Sequence, residues 1–297
     1  MKKKNVLIKN LLRSIKGSFG RYVAIMAIIA LGAATFVGLL TTKGDMIATG
    51  QKYMDRQNMF DLRLISAYGW TQAELDKVLK MEGVESAEGI LSMDVLGSRS
   101  DQGKDQVYKL YSIPETVNKV YLLGGRMPEN ANECLIDGRG MSDKILGTTF
   151  TVSAENEEST LDSLHIKTFT VVGYVNSPLY MDLSRGGTSL GNGTVSAFVY
   201  LPETAFHVDY FTEINITLTG DYDVYSEKYN LVLQDMAEKL KPGMTLLAGE
   251  RLTVVKAEAE EKYTEGLKEY QENLAEYESA RDETLSALDE ALRELEK

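Results

Sequence analysis

Residues 22–42 read YVAIMAIIALGAATFVGLLTT, and they divide the chain into two unlike parts. The stretch begins at Tyr22, ends at Thr42 and contains no charged residue. Because a helix rises about 1.5 Å per residue, residues 23–40 would extend roughly 27 Å, close to the thickness of the hydrocarbon core of a bilayer. The composition therefore predicts a transmembrane helix over residues 22–42.

The charge of the chain changes sign across this stretch. Residues 1–44 hold eight basic residues and no acidic one, whereas residues 45–297 hold 24 basic and 44 acidic residues. Since basic flanks stay on the cytoplasmic side of a membrane, we expect a cytoplasmic N-terminus and an extracytoplasmic body from about residue 43. A body this acidic has no general attraction for nucleic-acid phosphates, so we expect no nucleic-acid partner.

Two other interpretations of the apolar stretch fit less well. A cleaved signal peptide has a shorter basic region and an apolar core of about 7–15 residues before its cleavage site, whereas here about twenty residues precede a longer core. A buried core helix would carry a polar face. The small residues of the stretch, Gly32 and Gly38 among them, either form a strip against which another span packs or are simply tolerated in lipid.

The residues on either side of the span predict distinct segments. Residues 1–21 place apolar residues at helical spacing opposite lysines and arginines, which predicts an amphipathic helix on the cytoplasmic membrane surface. Residues 43–249 are expected to form the extracytoplasmic domain, with residues 43–59 as a helical stalk. Residues 250–297 are expected to form a helical arm.

The extracytoplasmic domain has the sequence pattern of an α+β fold. Thr71 is a good N-cap and Glu74 lies at the capping-box position, which predicts a helix over residues 71–81. A short helix is expected at residues 117–120, and another over residues 225–240 that Pro242 and Gly243 stop. Alternating apolar residues predict strands at the following places: 60–65, 84–96, 107–113, 133–136, 150–152, 165–175, 194–201 and 212–218.

The arm has the pattern of a coiled coil. Apolar residues recur every three or four positions from Leu252 to Leu295, the spacing slips near Arg281, and fifteen acidic and seven basic residues cover the remaining surface. Such a helix would be about 70 Å long and needs a partner to bury its apolar seam. Because the last residue is still in register, we expect an antiparallel partner in further sequence.

Residues able to perform chemistry are few. Cys134 is the only cysteine, which excludes an intramolecular disulfide and is typical of a small buried residue, and His165 and His207 are the only histidines. The glycine-rich residues 177–193 lack the lysine of a phosphate-binding loop. The acidic residues 154–163 could bind a cation but are more typical of a solvated loop. We therefore predict no catalytic residue, cofactor site or metal site.

A hydrolase would have to use polar residues that stand in no motif. These residues are Asp137, Ser177, Asp182, Ser184 and Ser189.

Several stretches resemble one family of membrane proteins. KNLLRSIKGSFGRY precedes the span, FDLRLISAYGWTQAELDKVLKMEGVESAEG follows the stalk, and GGRMPENANECLID, TFTVVGYVNSPLYMD and RGGTSLGNGTVSAFVYLP come later. With the order of segments, they resemble the N-terminal part of an FtsX-like ABC transporter permease with a MacB-type extracytoplasmic domain. The most specific pattern is G-R-x-P-x-x-x-x-E. The residues that carry the resemblance are Gly125, Arg126, Pro128, Glu133, Gly173, Pro178, Gly187 and Gly191.

The resemblance implies a non-catalytic permease subunit in a bacterial plasma membrane. Its partners would be a cytoplasmic ATPase, further spans or a second permease copy, and the lipid bilayer. It would couple ATP hydrolysis to its outer domain by mechanotransmission, for export or extrusion at the outer face. The arm resembles a coiled-coil insertion found in Gram-positive members. The chain departs from the family in having one predicted span, so we expect no transport from it alone. The alternative is a single-span adhesion or sensor protein with a coiled-coil stalk.

Overall fold

The computed structural model describes residues 2–295. Two helices open the chain, α1 (Lys2–Gly17) and α2 (Phe19–Gln57), and they are separated by Ser18. The amphipathic helix, the apolar stretch and the stalk were each predicted to be helical, and the structure joins the last two in one uninterrupted helix. Met1, Glu296 and Lys297 lie outside the described residues, so the predicted arm is seen as far as Leu295.

Helix α2 meets the length and composition of a membrane span. It has 39 residues, its most apolar 18-residue window has a mean hydropathy of 2.5, and no residue of that window is buried inside the protein. It is the one helix of this kind in the described residues. Exposed leucine, isoleucine and phenylalanine side chains cover its surface, including Ile28 and Leu39, each 70% exposed.

A small three-stranded antiparallel sheet follows the stalk. Its order is β1-β10-β2, formed by β1 (Leu62–Trp70), β2 (Val84–Ile90) and β10 (Phe211–Leu218). Helix α3 (Gln72–Val78) connects β1 to β2, and the capping box between Thr71 and Glu74 is present as predicted.

The remaining strands form a seven-stranded sheet in the order β5-β8-β6-β9-β4-β3-β7. A further pairing between β7 and β8 closes six of these strands into a barrel and leaves β5 as an extension on β8. Helix α4 (Glu158–Asp162) lies between β7 and β8. The strands are β3 (Ser92–Arg99), β4 (Gln106–Ser112), β5 (Tyr121–Gly125), β6 (Glu133–Asp137), β7 (Thr149–Val152), β8 (Thr168–Asn176) and β9 (Ala197–Leu201).

Each sheet has its own apolar core. In the barrel core, Val95, Leu110, Phe150 and Phe169 are fully buried. In the core of the small sheet, Ile214 and Ile216 of β10 are fully buried, and α3 and a long C-terminal helix, α5 (Glu227–Leu295), pack against the sheet. The body is therefore a mixed α/β structure with these two cores and a third buried cluster that includes Tyr111, Phe198 and Tyr200. The chain enters the body from the stalk of α2.

The strand expected over residues 84–96 is two strands in two different sheets. Ile90 pairs with Glu213 in the small sheet, whereas Ser92 pairs with Tyr111 in the barrel. The chain therefore crosses from one sheet to the other at Leu91. Apolar alternation continues through the crossing, so the sequence pattern does not reveal it.

The predicted stop at Pro242 and Gly243 is wrong. Helix α5 begins at Glu227 and continues through Pro242 to Leu295. The arm expected from residue 250 is therefore the C-terminal part of a 69-residue helix. Leu240 and Leu247 on either side of the proline are both buried in the core of the small sheet. Packing on both sides holds the helix together although one main-chain hydrogen bond is lost at the proline.

The short helix expected at residues 117–120 is absent from the structure. Asn118 adopts a left-handed conformation with φ of 60°, and the main-chain N–H groups of Asn118 and Lys119 bond to the end of α2 instead of to their own segment.

Candidate functional site

The end of helix α2 has a defined cap. Asn58 adopts φ of 49°, its N–H donates to the oxygen of Asp55 over 3.1 Å, and the N–H of Met59 donates to the oxygen of Met54 over 3.0 Å. This is the pattern of a Schellman motif, with asparagine in the left-handed position that glycine usually occupies. The stalk therefore ends at a fixed residue and turns directly into the body.

Hydrogen bonds clamp this turn to the loop between β4 and β5. The N–H groups of Asn118 and Lys119 donate to the oxygens of Asn58 and Gln57, each over 2.8 Å. The Asn58 side chain donates to the oxygen of Thr116 over 2.8 Å, and the N–H of Phe60 donates to Oδ1 of Asn118 over 3.0 Å. The first clamp therefore ties α2 to a loop of the barrel.

Glu88 extends this clamp to the small sheet. Its carboxylate on β2 accepts hydrogen bonds from the N–H groups of Glu115, Thr116 and Val117 at 2.7, 3.0 and 2.7 Å. Hydrogen bonds to an ionised carboxylate are stronger than neutral ones. The loop that holds α2 is thus fixed to both sheets.

A second clamp joins the stalk to the segment that leads into α5. Gln51 donates from Nε2 to the oxygen of Tyr222 over 3.1 Å and accepts at Oε1 from the N–H of Val224 over 2.9 Å. Gly50 leaves room for Tyr225, because a Cβ atom there would lie 2.5 Å from the Tyr225 hydroxyl oxygen.

Asp61 links the entry of the chain to the start of α5. It accepts from the N–H of Leu218 over 2.6 Å and from the hydroxyl of Tyr229. Burial raises the pKa of Tyr229, and its bond to Asp61 raises this pKa further, so the phenol stays protonated and donates at physiological pH. Around these contacts lies a cleft of about 250 Å³ that extends from Met54 to Tyr229. We call the two clamps and Asp61 the stalk junction.

The junction was not among the residues singled out from the sequence. Asn58 and Gln51 stand in no recognised motif, and Asp61 lies in the stretch after the stalk that resembles the family but was given no role there. The one available signal is the polar run DRQN at the end of a long apolar helix, which is compatible with a helix cap but names no partner.

The G-R-x-P-x-x-x-x-E pattern forms one compact loop. Arg126 and Glu133 make a two-pronged ion pair, with Nη1 of Arg126 2.8 Å from Oε2 and Nη2 2.5 Å from Oε1 of Glu133. Glu133 also accepts from the N–H of Glu129 over 2.7 Å. The guanidinium and the main-chain donors hold the pKa of Glu133 well below its usual range, so its negative charge is stable.

Two of the glycines that carry the resemblance, Gly125 and Gly173, are explained by close packing. Gly125 has φ of 81°, and a Cβ atom there would overlap the Val172 oxygen. At Gly173 a Cβ atom would lie 2.6 Å from the Arg126 oxygen. Both positions bring strand β8 against the turn before Pro128, so their role is structural.

The glycine-rich loop that follows β8 is anchored by a buried ion pair. Nε and Nη2 of Arg185 lie 2.6 and 3.0 Å from the carboxylate of Asp137, and their side chains are 7% and 5% exposed. The guanidinium also lies over the rings of Tyr180 and Phe198. This pair fixes the loop to β6, and it uses Asp137 as an ion-pair partner.

The other family-motif residues of this loop have packing roles. Pro178 is buried at its start. Gly187 pairs with Thr194 in an isolated bridge. Gly191 has φ of 54°, and a Cβ atom at this position would lie 3.0 Å from a methyl group of Val107.

The polar residues considered for a hydrolase do not converge. Ser177 bonds to the hydroxyl of Tyr200 over 2.8 Å, and Asp182 caps the N–H of Ser184 over 3.0 Å. His165 and His207 pack on each other, with ring centroids 4.3 Å apart, and both are exposed.

Cys134 is fully buried in the barrel core, as was expected for a lone cysteine, and burial raises the pKa of its thiol. Across residues 2–295 no group of three or more His, Cys, Asp or Glu side chains is arranged to hold a metal ion.

Two solved structures are similar to part of this chain. The extracellular domain of the noncanonic ABC-type transporter YknZ from Gram-positive bacteria aligns with a TM-score of 0.35 and 12% identity, over 58% of this chain and 87% of that one. The periplasmic region of MacB from Actinobacillus actinomycetemcomitans aligns with a TM-score of 0.32 and 11% identity, over 60% and 75%. No family model and no curated protein matches the chain.

Proposed function

We propose that this chain is a non-catalytic permease subunit of an FtsX-like ABC transporter. In this proposal α2 crosses the plasma membrane with the N-terminus in the cytoplasm, and the body lies outside. The support comes from the basic residues before the apolar stretch, the acidic body after it and the family motifs of the sequence.

The observation that carries the proposal is the continuity of α2. One helix leads from the apolar stretch to Asn58, where main-chain and side-chain hydrogen bonds attach it to both sheets. A helix transmits displacement along its axis because each of its turns is hydrogen-bonded to the next. A movement of α2 in the membrane would therefore move the body, which is the mechanotransmission that the resemblance implies. Export or extrusion at the outer face is the direction that we propose.

Two experiments test this proposal. Purification of the protein from its native host should recover a cytoplasmic ATPase in stoichiometric amount, and recovery of none would contradict the permease role.

Membrane topology can be read from single cysteines, because Cys134 is buried and its thiol is shielded. In intact cells an impermeant thiol reagent should label Thr253→Cys but not Lys16→Cys, with the parent protein as the unlabelled control. Labelling of Lys16→Cys alone would reverse the topology.

The alternative is an adhesion or sensor protein, and the long helix α5 supports it. Tyrosine and leucine side chains are exposed along this helix, including Tyr263 at 72% and Tyr277 at 66%, and a partner protein could cover them. In that case a partner would bind the arm and no ATPase would co-purify. The same purification therefore distinguishes the two functions.

A further inference from the structure

A groove of about 790 Å³ lies between the small sheet and the barrel. One side is formed by α3 and β2, and the other by the segments that follow β4, β5 and β9. Its volume falls in the range of ligand-binding clefts. It is separate from the cleft at the stalk junction, since the two share no lining residue.

Apolar side chains form much of the groove. Among the residues that line it, Phe206 is buried and Met127 is 41% exposed. The partly or largely exposed apolar side chains are Ile113, Met127, Pro128, Pro202, Val208 and Phe211. An apolar ligand would therefore cover surface that is open to water in this structure.

The family motif shapes one wall of this groove. Met127 and Pro128 follow Arg126, whose ion pair with Glu133 fixes the loop, and Nη1 of Arg126 also donates to the Met127 oxygen over 2.9 Å. The ion pair therefore holds an exposed methionine in place. This gives the G-R-x-P-x-x-x-x-E pattern a role beyond packing within the barrel.

The charged residues of the groove are all acidic. Glu88, Glu115 and Glu203 line it, and none of its described lining residues is Lys, Arg or His. Glu88 is already bound by three main-chain N–H groups. Glu115 and Glu203 are exposed and make no ion pair within residues 2–295. Their charges are thus available to a cationic ligand.

We propose that this groove binds an apolar peptide segment that carries basic residues. The apolar walls complement the apolar side chains of such a segment, and the carboxylates of Glu115 and Glu203 complement its basic charges. A peptide fits better than a lipid, because β2 is an edge strand of its sheet and its residues 87–89 line the groove. An extended peptide can bond to the main-chain groups of an edge strand, whereas an alkyl chain cannot. This inference does not depend on the permease function.

The test is a binding measurement on the whole chain in nanodiscs of zwitterionic lipid at about 0.15 M salt. The probe is a fluorescent, acetylated heptapeptide of alternating lysine and valine, and the comparison peptide has glutamate in place of lysine. We expect fluorescence anisotropy to show binding of the lysine peptide only. Glu115→Gln combined with Glu203→Gln should raise its Kd about tenfold, because two exposed charge contacts are lost. Met127→Ser should raise it about threefold.

The matched control is Glu260→Gln combined with Glu261→Gln, which removes the same charge from the exposed surface of α5. Equal weakening by the two double variants would mean general attraction to an acidic protein, and it would overturn the proposal. Absence of binding by the lysine peptide would overturn it as well. If dodecylamine binds as tightly as the peptide, with the same sensitivity to the groove variants, the ligand is an amphiphile and the peptide assignment is wrong. Each result is independent of whether an ATPase co-purifies.

Discussion

The N–H of Asn118 donates a hydrogen bond to the main-chain oxygen of Asn58 over 2.8 Å, and both residues are left-handed, with φ of 60° and 49°. Asparagine adopts this conformation more readily than most residues. The hydrogen bond therefore joins the cap of α2 to a loop of the barrel through two left-handed residues. Most residues other than asparagine and glycine would be strained at these two positions. This contact makes the attachment of α2 testable by substitution.

Replacing Asn58 should separate the requirements of its backbone from those of its side chain. We expect Asn58→Ala to lower the free energy of unfolding by about 2–3 kcal/mol, since alanine is strained in the left-handed region and the bond to Thr116 is lost. Asn58→Gly keeps the backbone conformation and should cost about 1 kcal/mol. The only tryptophan, Trp70, is 3% exposed, so its fluorescence reports unfolding of the small sheet. Equal losses for the two variants would contradict the role of the backbone.

The ion pair of Glu133 should give stability that depends on pH. The Arg126 guanidinium holds the pKa of Glu133 below its usual range in the folded protein. Its contribution is therefore present above the unfolded pKa of about 4.3 and is lost as the pH falls from there toward the folded pKa. The difference in Tm between the wild type and Glu133→Gln should be constant from about pH 6 to 8 and should shrink below about pH 4.

Glu260→Gln is the control for this series, because it removes an exposed charge on α5 whose carboxylate makes no ion pair in the described residues. Its Tm should stay near that of the wild type at each pH. A difference for Glu133→Gln that grew at acid pH would show that the carboxylate destabilises the fold.

Two glycines with similar backbone conformations separate strain from steric overlap. Gly125 and Gly103 have φ of 81° and 64°, but a Cβ atom at Gly125 would overlap the Val172 oxygen, whereas one at Gly103 would meet nothing within 4 Å. Gly103→Ala should therefore lower the free energy of unfolding by about 1–2 kcal/mol, and Gly125→Ala by about 3–5 kcal/mol. Similar losses in chemical denaturation would mean that β8 can move away from the turn.

A break in the stalk should uncouple the body from the apolar part of α2 without unfolding the body. Met46 is 69% exposed in α2, and Met46→Pro removes a helical hydrogen bond at a cost of about 3 kcal/mol to the local helix. The Tm from Trp70 fluorescence should stay close to that of Met46→Ala, the control. With the proposed ATPase bound, ATP should leave the distance between labels at Lys16→Cys and Thr253→Cys unchanged in the control, because α2 and the body move together, and should change it in the proline variant. Equal changes would contradict rigid coupling.

Local signals in the sequence predicted the separate elements well. The charge-free stretch and the polar residues of the stalk both favour a helix, and the capping box at Thr71 is formed by neighbours in sequence. Alternation identified strands with one buried face such as β8, whereas β6 is buried along its whole length and β5 was not predicted. These features depend on residues a few positions apart, which the sequence displays directly.

Contacts between distant segments could not be predicted in this way. The crossing at Leu91 lies within a continuous alternation, and Pro242 stays helical because residues before and after it pack in a core formed by other strands. Asn58 and Asn118 are 60 positions apart and share no motif. The stalk junction is therefore a property of the assembled fold.

The order β1-β10-β2 also defines how the body is built. Ile90 at the end of β2 lies directly opposite Glu213 near the start of β10, so a tight turn could join these strands where the chain instead makes the whole barrel. In topological terms the barrel is a domain inserted at the tip of a β-hairpin. Its size and surface can change without altering the distance between the two ends that it must connect. The small sheet is thus a fixed scaffold next to α2, and domains of different shape could be inserted between β2 and β10.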